Sequence, residues 1–128
     1  MTRFAHARSA GRLAMLLPIV TALSACTSMQ ATGAVLVAGQ EASIEGYVLS
    51  VDTAPWTYDG NAVVAVATAT SGTVKVQLPA RWNLCKAQPH QGIQELKPRD
   101  RVRAVGTAAD DNQVMVCARP QHLLRKLD

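Results

Sequence analysis

Hydrophobic and polar positions alternate most regularly in "GTVKVQL" (Gly72–Leu78). Val74, Val76 and Leu78 fall on one side of an extended chain there, and Lys75 and Gln77 on the other. A period of two is the mark of a strand with one face buried. Four further stretches read as strands because they are rich in β-branched or alternating apolar residues. They are "IEGYVLSVD" (Ile44–Asp52), "NAVVAVATAT" (Asn61–Thr70), "DRVRAVGTA" (Asp100–Ala108) and "QVMVCA" (Gln113–Ala118). "TSG" between the second and third strands and "ADDN" between the fourth and fifth are short enough for tight hairpins. "TAPWTYDG" links the first two strands, with Asp59-Gly60 as its turn signal. Only "PARWNLCKAQPHQGIQELKP", between the third and fourth, is too long for a hairpin. It is expected to hold one short helix near Ala80–Ala87, stopped by Pro89 and Gly92.

The pattern before residue 41 is of another kind. Arg3, Arg8 and Arg12 precede the apolar run "LAMLLPIVTALSA", with no acidic residue among them. A basic start, a short apolar run and small residues before a break describe an export signal. The run is too short for a membrane span, which needs roughly 20 apolar residues. "LSAC" (Leu23–Cys26) resembles the lipobox of bacterial lipoprotein signal peptides at all four positions. The resemblance implies cleavage before Cys26, lipid on its thiol and acylation of the new amino terminus. Thr27 in place of an aspartate implies transfer to the outer membrane, facing the periplasm. Two or more acyl chains give stable anchoring where one does not. The expected organisation is a signal over residues 1–25, a lipidated tether over 26–40 and a domain over 41–128. "AVLV" (Ala34–Val37) is a candidate edge strand.

Removing the signal changes the charge. The chain has 13 Lys and Arg against 9 Asp and Glu, a net +4, but three of the basic residues lie in the signal. The mature chain is near +1, with no electrostatic footprint for a phosphate backbone. A nucleic-acid partner is accordingly not expected. The mature length is enough for one small domain, whose modest core would gain from a covalent staple.

Five strands with an insertion between the third and fourth is the order of an OB-fold, a partly open Greek-key barrel. "ELKPRDRVRAVGTA" (Glu95–Ala108) resembles the fourth-strand signature of such domains, with a polar turn, Asp100, alternating apolar residues and Gly106. Where that signature has a glycine before the aspartate, this chain has Arg99. The whole is similar to small bacterial OB-fold proteins exported to the envelope. That likeness implies a fold more than a function.

Two echoes, "CKAQPH" from Cys85 and "CARPQH" from Cys117, contain the two cysteines left after Cys26. In an oxidising periplasm an even pair is expected to join. Closing that loop stabilises a fold by about 3–4 kcal/mol in the chain-entropy picture. The alternative is a zinc site of Cys85, His90, Cys117 and His122, right in ligand type but longer in spacing than common knuckles. Otherwise both histidines are expected to be exposed loop residues.

No catalytic motif appears, and the carboxylates are scattered, so neither an enzyme nor a cofactor is expected. The aromatic and basic residues carry the remaining chemistry. Trp56 and Tyr58 lie in the loop between the first two strands, which in OB-folds borders the ligand face. Lys75, Arg101 and Arg103 project outward if the alternation holds. Together they form the candidate contact set for an envelope protein, peptidoglycan or a small anionic ligand. The same residues leave open a single-strand nucleic-acid binder, and Trp56 as an aromatic plug of the barrel end.

Overall fold

The computed structural model describes residues 35–128, with Gly11 besides. The expected signal, Cys26 and the first part of the tether lie outside the described residues. Six strands form: β1 (Glu41–Asp52), β2 (Ala62–Thr68), β3 (Gly72–Leu78), β4 (Arg101–Ala109), β5 (Gln113–Met115) and β6 (Leu123–Lys126). They hydrogen-bond in the order β1-β2-β3-β5-β4-β6, and β1 also pairs with β4. The first five strands therefore close on themselves, and β6 adds to the flank of β4 beyond β5. This is the expected all-β, OB-fold-like barrel. All pairings are antiparallel except β3 with β5, where Lys75, Val76 and Gln77 face Gln113, Val114 and Met115.

Alternation places the core. Val74, Val76 and Leu78 of β3 are fully buried, as are Ala62, Val64 and Val66 of β2 and Val102 and Ala104 of β4. Every core residue lies between Ile44 and Leu124. The interior is mostly valine and alanine, with no Phe, Tyr or Trp among the fully buried side chains of the described residues. The half-buried Trp56, Leu36 and Leu96 pack against it.

β1 serves two neighbours, pairing its first half with β4 and its second with β2. It can do so because it bends, with a bulge between Val48 and Ser50. At the crossover, a Cβ on Gly46 would lie 2.1 Å from the Ala67 carbonyl oxygen, so no side chain fits there. Gly106, anticipated from the fourth-strand signature, is buried with the Met115 carbonyl oxygen 2.4 Å from where its Cβ would be, again too close for a side chain. The turn into β4 has Arg99 at φ 77, in the left-handed region that a glycine adopts without penalty.

Three features differ from the sequence reading. In the insertion the short helix becomes two 3-10 turns, Trp82–Leu84 and Ile93–Glu95. Cys85 is extended, with φ −91 and ψ 152, and the backbone N–H groups of Lys86 and Ala87 both donate to the Cys117 carbonyl. These bonds leave no i→i+4 ladder to continue. The fifth strand stops at Met115, where the chain leaves the sheet, and residues 123–126 return as the unanticipated β6. Residues 35–37 form no strand. Gly39 N–H nevertheless donates to the Ala108 carbonyl, and Ala108 N–H to that of Gln40 (2.8 Å each), so the pairing continues before β1. Among the described residues no helix is long and apolar enough to cross a membrane.

Candidate functional site

Cys85 and Cys117 form a disulfide, tying the β3–β4 insertion to the segment after β5. The bridge uses both sulfurs that a metal site with His90 and His122 would need, so that four-ligand alternative loses its thiolates. Among the described residues no three His, Cys, Asp or Glu side chains gather as metal ligands. Neither histidine is the exposed loop residue expected. His122 is 1% exposed. Its Nδ1 accepts a long bond from Cys117 N–H (3.4 Å), and its Nε2 lies 3.6 Å from Glu41 Oε2. Burial here comes from the return of the chain into β6, which no local pattern announces.

His90 is half-buried, and its Nε2 has no hydrogen-bond partner among the described residues. Burial pushes its pKa below the ordinary 6.5, leaving the imidazole neutral at neutral pH. Two adjoining hollows share His90 and Trp56. One, about 360 Å³, is completed by Asp59, Pro79, Ala80 and Trp82; the other, about 220 Å³, by Gly92, Ile93, Gln94 and Glu95. Together they make a cleft at the barrel end, walled by the β1–β2 loop on one side and the insertion on the other.

Each wall has a local cause. After β1 the chain makes a 3-10 turn, Ala54–Tyr58, opened by Pro55 and closed at Asp59 in the left-handed region (φ 62). Asp52 Oδ1 accepts from Ala54 N–H (3.0 Å), and Gly60 N–H donates to the Pro55 carbonyl (2.8 Å). This turn carries Trp56 back over the barrel end, where its indole Nε1–H donates to the Leu78 carbonyl (2.9 Å). Trp56 is thus plug and cleft wall at once. Opposite it, Trp82 is held by the turn that the disulfide secures, and 48% of it remains exposed. On the rim Arg81 Nη2 donates to Asp59 Oδ2 at 2.7 Å. That hydrogen bond and the guanidinium charge hold Asp59 below its usual 3.8 and raise Arg81.

The candidate contact set does not form one surface. Tyr58 is 73% exposed but lies against Gly60 and lines neither hollow. Lys75 points outward from β3. Arg101 and Arg103 point outward from β4, which β5 separates from β3. Both guanidiniums bond Glu45 of β1, the register partner of Arg103. The Arg103 bonds lead in holding Glu45 below its ordinary 4.5. Trp82, Arg81 and Asp59 lie outside the candidate contact set, Asp59 having been read only as a turn signal. Trp82 carried a usable signal, as the only other tryptophan in the chain, but the expected helix left it without a role.

No protein-family model matches the chain, and no curated protein matches it either. A solved structure described as "OBody NL8 bound to hen egg-white lysozyme" is similar to it, with TM-score 0.48 and 20% identity, over 72% of this chain and 98% of that one.

Proposed function

We propose that this chain is a non-enzymatic lipoprotein of the bacterial envelope. Lipid on Cys26 anchors it, in the outer membrane facing the periplasm, and a short tether presents the barrel as a binding module. The binding surface is the cleft of Trp56, Trp82 and His90. Its partner is an envelope component, a protein or peptidoglycan. The observation that carries the reading is the Cys85–Cys117 bridge. It occupies both cysteines other than Cys26, and disulfides persist in exported proteins while cytosolic thiols stay reduced. The "LSAC" run then supplies the anchor, and cleavage ahead of it removes most of the excess positive charge.

Fractionation tests the reading. The full chain expressed in a Gram-negative host should sediment with membranes and enter the detergent phase, and Cys26→Ser should move it to the periplasmic or uncleaved pool. Wild-type protein recovered from the cytosol without detergent would refute the anchor. The small anionic ligand considered from the sequence fits the cleft poorly, because Arg81 is already paired and Asp59 and Glu95 stand on its rim.

A further inference from the structure

We infer that the occupant of this cleft is a neutral saccharide, a proposal that rests on the cleft being the binding site. The walls come first. Trp56 is fixed by its bond to Leu78, and Trp82, half exposed, sits on the turn whose carbonyl takes the N–H of the disulfide-bonded Cys85, so two indole rings are offered at the cleft. The electron-rich face of an aromatic ring attracts positively polarised hydrogens, and the C–H face of a pyranose presents a flat array of them.

The polar groups fit the same ligand. Asp59 and Arg81 use only part of their capacity on one another, since a carboxylate offers about four lone-pair sites and a guanidinium five N–H donors. Both side chains are more than half exposed. A hydroxyl donates and accepts, so adjacent sugar hydroxyls can bridge the pair without adding charge.

Rival chemistries match less of the site. A nucleic-acid strand would bring phosphates toward Asp59 and Glu95, with Arg81 already engaged. A peptide added as a strand needs an open sheet edge, and both hollows are lined by residues outside the strands. A proline-rich peptide also uses aromatic grooves and is the sharpest competitor.

The chain has two tryptophans, and both line the cleft, so intrinsic fluorescence reports on it directly. The purified chain is titrated with cellotetraose, chitotetraose, a proline-rich peptide and a single-stranded oligonucleotide. We expect a saturable emission change with a neutral oligosaccharide, with a Kd on the order of 1 mM or tighter, insensitive to salt. Trp82→Ala and Asp59→Asn should each weaken it at least tenfold with the unfolding midpoint unchanged. Binding that survives Trp82→Ala, or no saturation with either saccharide, overturns the proposal. Saturation by the peptide alone, lost in Trp82→Ala, overturns the saccharide and leaves the cleft as the binding site. Silence toward all four probes also overturns it.

Discussion

The barrel wall and the barrel end are held together by different means. In the wall, residues of β1 to β5 pair in register over long stretches, seven pairs between β2 and β3 and seven between β1 and β4. Burial follows the same alternation that the sequence displays. At the end, from Pro79 to Asp100 and from Val116 to His122, the backbone has two 3-10 turns and a few isolated hydrogen bonds, with one disulfide across them. The wall makes the domain, and the end makes the cleft. A binding surface built on irregular backbone needs external support, because its own hydrogen bonds are too few to keep it in one arrangement. The covalent bridge supplies that support next to Trp82.

The contrast can be broken most severely in the wall. Gly46→Ala places a methyl group against the Ala67 carbonyl, where β1 passes from one partner to the other. It should cost on the order of 4–5 kcal/mol, read as the loss of a cooperative urea transition. Removing the bridge with Cys85→Ser and Cys117→Ser should cost about 3–4 kcal/mol. Its signature is uneven. Hydrogen exchange should accelerate at Lys86 and Ala87, whose amides bond the Cys117 carbonyl, well before it does in β1 and β4.

A smaller change should stabilise. Arg99 occupies the left-handed region at φ 77, which costs a side-chain-bearing residue about 1–2 kcal/mol. Arg99→Gly should recover about 1 kcal/mol in equilibrium unfolding, reduced by the greater freedom of glycine in the unfolded chain.

The smallest effect is with pH. Burial lowers the His90 pKa in the folded state, so the unfolded chain binds the proton more readily. Stability is therefore full above about pH 6.5 and declines as pH falls through the folded value. His90→Gln should flatten the pH dependence in that window. Glu45, Asp59 and Asp100, lowered by their partners, add a further decline only in the carboxylate range.

What the sequence revealed divides along the same line. Local alternation located β2, β3 and β4 to within a residue or two, because each buries one face against the core. The β1 start was placed three residues late, since Glu41 and Ser43 are polar positions on its outer side. Alternation also turned Lys75, Arg101 and Arg103 outward correctly. It could not pair Arg103 with Glu45, 58 residues away, and so could not tell a free cation from a neutralised one. β6 is only four residues long, Leu123–Lys126, too short for a periodic signal, and the return of the chain to pair with β4 is what buries His122. The cleft was half legible. Trp56 was read from its loop, and Cys85–Cys117 from compartment and parity. Trp82 and His90 reach Trp56 through backbone that follows no period.

The most direct measurement is the intact mass of protein extracted from membranes, taken denatured and after alkylation with and without reductant. The expected chain starts at lipid-modified Cys26, is light by the hydrogens lost in forming the bridge, and alkylates at Cys85 and Cys117 only after reduction. A chain starting at Met1, with all its thiols alkylated in the absence of reductant, would contradict it.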